Sequence, residues 1–452
     1  MFKRDVILEL QRWADKPNRK PLVLRGARQV GKTSVVNEFG RNFDNYLYVN
    51  LEDQELLTLF NTALNVHELL LDLFAIKGIV RQMGRTLLFI DEIQNSPKAI
   101  ALLRYFYEEL PEIYVISAGS LLESLIDSHI SFPVGRVEYM SMHPCSFREF
   151  LSATGNELLR KRIEKNPQKS VAFHDKLMQI FNRYALIGGM PEVVANYIAN
   201  NDIVALNDVF DSLLYGYNDD VEKYAKNKTQ VSVIRHILSA GWAEAGSIIT
   251  LGRFAGSEYK AREMSEAFAT LEKAMLLELV YPVTQTELPL LPERRRAPKL
   301  IWLDSGLVNY AARLQKEVLL SNDILDAWKG KLAEHIVAQE LLALSNRFGQ
   351  KRSFWVRQKS SSMAEVDFIW QYDSLLIPIE VKSGHNAHLR SLHSFVDNSK
   401  NCTIAIRIWS QPYSVDEVQS NAGNKFTLLN IPFYLLGFLP KIVNEYIKNR
   451  VE

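Results

Sequence analysis

The sequence predicts an α/β protein of several domains, with a parallel sheet sandwiched by helices at the front, helices in the middle and a second α/β unit at the back. Three observations predict it. In "KPLVLRGARQVGKTSVVNEF" a buried strand, Leu22 to Leu24, runs into a glycine-bounded loop and then a helix. In "TLLFIDEIQ", from Thr86, an apolar strand ends on the carboxylate pair Asp91-Glu92. Far downstream the helical period of "AWKGKLAEHIVAQELLAL" gives way to three strand-like runs, "SFWVRQ", "AEVDFIWQ" and "LLIPIEVKSG".

A chain of 452 residues exceeds what one core organises, so two or three domains are expected. Its 53 basic and 52 acidic residues leave a net charge of +1, so any nucleic-acid surface must be local. No window reaches about 18 uninterrupted apolar residues, which predicts no membrane span and no membrane partner. Pro432 and Pro440 break up the apolar tail "FTLLNIPFYLLGFLPKIV", which reads as a buried strand and helix. The opening "MFKRDVILELQRW" lacks the apolar core of a signal peptide and reads as an amphipathic helix. Cys145 and Cys402 lack metal-type spacing and suit a reducing cytoplasm, the expected location.

The loop is Gly26-x-x-x-x-Gly31-Lys32-Thr33, the P-loop pattern in its strand–loop–helix setting. Gly26 and Gly31 let the backbone wrap a phosphate. Amide N–H groups and the following helix terminus supply positive potential there. Gly26, Ala27, Arg28, Gln29, Val30, Gly31, Lys32, Thr33 and Ser34 are therefore the expected ATP-binding residues. Lys32 would reach the β/γ-phosphates and Thr33 would ligate Mg²⁺. Asp91, at a strand's C-terminal edge, suits the Mg²⁺ shell, and Glu92 suits polarising the attacking water. Arg28 reads as a residue of the phosphate rim or of an interface.

With "RGARQVGKTS", "LLFIDEIQ", "SAGSLL", "PVGRVEYMSMHPCSFREFL" and "GGMPEVV" in this order, the chain resembles bacterial and archaeal AAA-type ATPases. These carry a C-terminal domain of unknown function and are relatives of the archaeal ATPase group. The resemblance covers nearly the whole chain. It implies an AAA+ P-loop ATPase core over residues 1–150, a helical lid over 151–228, a winged-helix segment over 229–315 and a restriction-endonuclease-like domain over 316–452. It also implies that a polar residue after the strand "IYVIS" contacts the γ-phosphate or the attacking water. Ser120 or Ser117 would serve, or would simply cap the next helix. The sequence departs from the family at Ala118, where Thr or Ser is common. Arg136, in a glycine-flanked loop, reads as an arginine sensing γ-phosphate charge, in its own subunit or across an interface, or as a solvated surface residue.

From about Glu149 to Ala225 the pattern is helical, with a turn at Gly188-Gly189 and a restart at Pro191. "GGMPEVV" either positions the lid over the nucleotide or is a tight helix junction. Between Ser232 and Leu314 three helices, a strand, "ERRRAP" and a second strand give the order of a winged helix. Lys260, Arg262, Lys273 and Arg294 to Arg296 would contact DNA phosphates. Glu263, Glu266 and Glu272 crowd the same helix, which leaves a protein partner as the alternative.

At the back, Glu334 stands on the helix, Asp367 on one strand and Glu380-Val381-Lys382 on the next, resembling the PD-(D/E)xK core. Glu380 and Lys382 share a face because strand side chains alternate. Glu334, Asp367 and Glu380 would hold Mg²⁺ for phosphodiester cleavage, with Lys382 orienting water or neutralising the phosphate. Alternatively, Lys382 is an ion-pair partner at a sheet end. The leading function is Mg-ATP hydrolysis coupled to movement of the C-terminal module on DNA, with ATP and Mg²⁺ as cofactors. Its alternatives are an ATP-gated nuclease and a nucleotide-dependent switch that binds a protein or a second copy of the chain.

Overall fold

β1 (Leu22–Arg25), β2 (Asn45–Asn50), β3 (Thr86–Asp91), β4 (Tyr114–Gly119) and β5 (Glu138–Ser141) form a parallel sheet in the order β2-β3-β4-β1-β5. The structure is a computed structural model that describes residues 2–119, 133–316, 330–347, 349, 351–358, 364–382 and 389–451. β1 and β3 are buried along their whole length, which is why both read as unbroken apolar runs. Alternate residues point to opposite faces. Leu22, Leu24, Leu87 and Phe89 pack with the helices Val6–Ala14 and Lys32–Gly40. Val23, Leu88 and Ile90 pack with Gln54–Thr62, Val66–Ile76 and Pro97–Glu109 on the other face. β2 is an edge strand in which buried and half-buried residues alternate, a weaker signal in the sequence.

Residues 147–224 are helical, as expected. Ser146 starts the run by accepting from the Glu149 N–H, while the Glu149 carboxylate accepts from the Ser146 N–H. The Gly188-Gly189 turn is a close approach of backbone to backbone. Gly188 has φ +75°, and a Cβ on Gly189 would lie 2.1 Å from the Cys145 carbonyl oxygen.

The next stretch departs from expectation. The helices Lys228–Ala240 and Ala261–Lys273 form, but "SIITLGRFAG" between them does not become a third helix. Arg253, Ala255 and Gly256 all have positive φ, which no α-helix accommodates, so only a short turn forms at Phe254–Gly256. β6 (Leu277–Val280) then pairs antiparallel with β8 (Lys299–Trp302). Trp302 stacks on Trp242, with ring centroids 3.9 Å apart.

Between these two strands the chain leaves its own unit. β7 (Pro282–Val283) pairs with β9 (Ser353–Val356). It so becomes the edge of a sheet completed by β10 (Glu365–Tyr372), β11 (Leu375–Val381), β12 (Ile404–Trp409), β13 (Ser414–Gln419) and β14 (Lys425–Pro432). The order is β13-β14-β12-β11-β10-β9-β7. Sheet and core therefore cross the border expected at 315/316, since one apolar cluster runs from Val6 to Val443. The Ser141 N–H also donates to the Asn346 carbonyl at 2.8 Å.

Polar groups are threaded through that core. Glu340, on the helix Lys331–Ala343, accepts at Oε1 from the Phe147 N–H (3.0 Å) and from Tyr184 Oη (2.6 Å). Its neighbour Gln339 donates to Tyr184 Oη and accepts from the Ser305 N–H. Asp304 accepts from the N–H groups of Gly189, Gly306 and Leu307. Burial pushes the Glu340 carboxyl up to about 7 and the Asp304 carboxyl up to about 6.

A carboxyl held above its unfolded value binds its proton more tightly in the folded state. Its contribution to stability is thus full below about 4.5 and is lost as pH rises through about 7. Glu340→Gln keeps an acceptor for Phe147 and Tyr184 but cannot ionise. Melting curves between pH 5 and 8 should show a smaller loss of stability in the variant, by on the order of 2 kcal/mol. Parallel losses in the two proteins would mean that Glu340 does not titrate in this window.

Candidate functional site

The P-loop leaves β1 at the carboxyl edge of the sheet, the side on which open α/β sheets place their ligands. Gly31 caps the helix Lys32–Gly40 at φ +90°, a conformation that strains any residue with a Cβ. Lys32 follows and curls back over its own loop, donating to the carbonyls of Gly26 (2.8 Å) and Ala27 (2.9 Å). Burial pulls the Lys32 ammonium down to about 8, against the opposing pull of Glu92 and Asp91. Thr33, one residue on, donates its hydroxyl to Asp91 Oδ2 at 2.6 Å. Loop and β3 terminus therefore meet through the two side chains expected to ligate Mg²⁺.

Glu92 stands just past β3 in the left-handed region, φ 52°, an uncommon state for a residue with a side chain. Its carboxylate accepts from the Gln94 amide, and burial lifts its pKa above the usual carboxylate value. The cavity over these groups, about 460 Å³, is lined by Arg28, Lys32, Thr33, Asp91, Glu92 and Pro191 among others. Pro191 arrives from the Gly188-Gly189 turn, and its ring lies 3.6 Å from where a Gly31 Cβ would be. Ala27 and Val30 are buried, Gln29 has φ 65°, and Gly26 is pressed against the Met142 carbonyl.

Two partners of the loop had no sequence signal. Arg4 is buried beneath it, donating to the carbonyls of Val30 (3.0 Å) and His143 (2.8 Å) and to Glu149 Oε1 (2.9 Å). Arg28 is ion-paired with Asp220, just past the helix Asn207–Asp219, and its carbonyl accepts from Tyr217 Oη. Each contact joins residues far apart in the chain, so no local spacing reveals it.

Other expected residues fall elsewhere. Arg136 is outside the cavity lining, and its Nε donates to Glu108 Oε1 at 2.8 Å. Ser120 lies outside the described residues. The buried Ser117 hydroxyl is turned to the Leu22 carbonyl inside the sheet. Of the basic residues in the middle of the chain, Arg262 pairs with Glu266 on its own helix, and Arg294 lies over the Tyr281 ring.

The C-terminal acids do converge. The β10–β11 register, Phe368 opposite Ile379, sets Asp367 beside Glu380. Asp367 Oδ2 accepts from the Val381 N–H at 2.7 Å, and Lys382 Nζ is 2.9 Å from Glu380 Oε1. Burial, then the Asp367 charge, raises the Glu380 pKa. Glu334 is raised for the same two reasons. Two residues missing from the expected set join them. Glu365 shares a face with Asp367 by the alternation of the strand, a signal present in "EVDFIW". Lys299, the first residue of β8, lies 2.9 Å from Glu334 Oε2, 2.7 Å from Glu365 Oε1 and 3.8 Å from Asp367 Oδ1. Nothing in the sequence ties it to them. Among the described residues no helix is long and apolar enough to cross a membrane.

Against this geometry, residues 18–151 match the family model of an AAA domain. Residues 178–318 match a domain of unknown function (DUF8612), and residues 329–434 match another (DUF4143). No curated protein matches the chain. Among solved structures, the Walker-type ATPase PABY2304 of Pyrococcus abyssi is 16% identical, with 69% of this chain and 96% of that one covered at a TM-score of 0.41. The Aeropyrum pernix Orc1 protein in complex with DNA is 14% identical, with coverage of 69% and 93% and a TM-score of 0.26. The Thermotoga maritima RuvB Holliday junction branch migration motor is 14% identical, with coverage of 62% and 90% and a TM-score of 0.26. With TM-scores this low the likeness goes no further than these figures. The chain therefore carries an AAA domain with a P-loop over residues 18–151, followed by two domains of unknown function.

Proposed function

We propose that the chain binds Mg-ATP in the cavity above the P-loop, hydrolyses it, and uses the cycle to move the segments that follow residue 150. One observation carries the reading: the Thr33 hydroxyl and the Asp91 carboxylate touch at 2.6 Å at the mouth of the loop that holds Lys32. These are hard oxygen donors of the kind Mg²⁺ takes, and they fit it. When bound, the ion neutralises charge on the phosphates. Lys32, freed from the Gly26 and Ala27 carbonyls, pairs with the β/γ-phosphates. Glu92, half shielded from water, polarises the attacking water.

Movement has a route in the same cavity. Asp220 and Pro191 belong to the helical segment expected as a lid, and both bear on the loop, one through Arg28 and one against Gly31. Phosphate charge competes with Asp220 for the Arg28 guanidinium, which loosens that segment. Residues 228–302, two helices followed by the β6–β8 pair, support a winged-helix reading that would take the motion to DNA or a protein. The C-terminal sheet, with the Lys331–Ala343 helix against it, supports the restriction-endonuclease-like reading. Cleavage of nucleic acid needs a divalent ion on Asp367 and Glu380, and this requires Lys299 to withdraw.

Lys32→Ala should abolish ATP turnover, while Glu92→Gln should keep binding and lose ~10²–10⁴-fold in rate. Turnover retained in Lys32→Ala would remove the assignment. The Lys32 ammonium titrates near 8 in the free protein, and bound phosphate must raise that value, so binding takes up a proton at higher pH. ATP affinity measured calorimetrically should therefore fall above about pH 8, approaching ~tenfold per pH unit. Lys32→Arg should show no such fall, and a flat wild-type profile would contradict the placement of the lysine. Asp220→Asn, which frees Arg28, should bind ATP ~3–5-fold more tightly, the size expected from an ion pair with one exposed partner. Unchanged affinity would mean that Arg28 stays on the lid.

A further inference from the structure

Lys299 enters the C-terminal carboxylate cluster from a different part of the chain. It opens β8, whose ladder partner is β6, while Glu334 comes from the helix Lys331–Ala343 and Glu365 and Asp367 from β10. Its side chain is only 3% exposed. The ammonium touches Glu334 and Glu365 at 2.9 and 2.7 Å, lies 3.8 Å from Asp367, and faces the Phe354 ring at 4.9 Å.

These distances leave little for a metal ion. A magnesium ion requires near-octahedral oxygen ligands at about 2.1 Å. Here Glu334 Oε2 and Glu365 Oε1 are on the lysine, and Asp367 Oδ2 accepts from the Val381 N–H. Glu380 Oε1 is on Lys382, which leaves Glu380 Oε2 as the buried oxygen of the cluster without a partner. Among the described residues, no three His, Cys, Asp or Glu side chains are disposed to hold a metal. A second cation placed among these oxygens would also meet two ammonium groups. Burial alone would strip the proton from Lys299, but Glu334, Asp367 and Glu365 outweigh it and hold its pKa above the ordinary lysine value.

We propose that Lys299 is the resident cation of this cluster, standing where a divalent ion would be expected, and that it latches the C-terminal sheet to the segment before residue 316. The lysine does with one charge and three N–H donors what a metal would do with two charges and its coordination shell. Part of the charge of a crowded cluster of acids is offset, and the strands and helix that carry them are held together. The cost is that the acids cannot act on a phosphodiester while β8 is in place. This proposal does not depend on the ATPase reading and survives its failure.

The test uses the full chain without nucleotide, in EDTA and in millimolar Mn²⁺, with melting temperature and Mn²⁺ binding by paramagnetic resonance as readouts. Wild-type protein and Asp367→Asn should bind Mn²⁺ equally, and Mn²⁺ should not raise the melting temperature of either. Lys299→Met should melt lower in EDTA, gain a Mn²⁺ site and recover stability on binding it. Lys299→Met/Asp367→Asn should show neither the new site nor the recovery. A Mn²⁺ site in the wild-type protein that Asp367→Asn abolishes would overturn the proposal, because the metal would then be there alongside the lysine. A folded Lys299→Met that melts like wild type, or that Mn²⁺ does not rescue, would overturn it too. Should Lys299→Met not fold, the comparison of wild type with Asp367→Asn decides alone.

Discussion

Two buried carboxylates, Glu340 and Asp304, are the constraint on which the rest of this molecule depends. Both are buried, and each accepts from a backbone N–H of a segment distant in sequence, Phe147 for Glu340 and Gly189 for Asp304. Glu340 fixes the start of the helix that follows the AAA sheet. Asp304 fixes the Gly188-Gly189 turn, two residues ahead of the proline that overhangs the P-loop. Because an unpartnered buried acid is expensive, these segments cannot part without bringing in water or a proton. The nucleotide cavity and the C-terminal sheet are in this way mechanically continuous. Tyr184, whose hydroxyl lies 2.6 Å from Glu340 Oε1 and 2.9 Å from the Cys145 carbonyl oxygen, sits at the centre of that continuity.

The nucleotide cavity shows the same principle on a smaller scale. In this arrangement these polar groups at the loop already have partners within the chain: Lys32 the Gly26 and Ala27 carbonyls, Thr33 Asp91, Arg28 Asp220 and Glu92 Gln94. A triphosphate would replace these internal contacts rather than fill idle ones. In the proposed cycle, binding energy would be partly consumed in releasing them, and the release of Arg28 from Asp220 would reach the helical segment. Arg4 is different, since its three partners lie below the loop and hold the Val30 carbonyl from behind. It supports the loop from behind and also reaches the wall of the cavity beside Gly31.

Much of this was legible in the sequence where the signal is local. The P-loop glycines, the apolar runs of β1 and β3 and the period-2 strands around Asp367 each carry their information within a few residues, and the structure puts them where that information points. The edge strand β2 was not read because its half-exposed alternation is faint. In "SIITLGRFAG" the apolar content imitates a helical period, whereas the positive-φ positions that prevent a helix leave no mark in the sequence. Lys299, Asp220 and Arg4 could not be read at all. Each matters through a partner found only after the chain has folded back, and an isolated basic residue beside an apolar run looks the same whether it is solvated or buried among acids.

The two-residue strand β7 has a consequence out of proportion to its length. Pro282 and Val283 shield the outer rim of β9, so a fragment beginning at residue 316 would leave that rim bare, with Trp355 and Phe354 beside it. An uncovered rim invites other chains to add on. The match to the second domain of unknown function begins at residue 329, whereas the sheet within it begins earlier, at the guard strand Pro282–Val283.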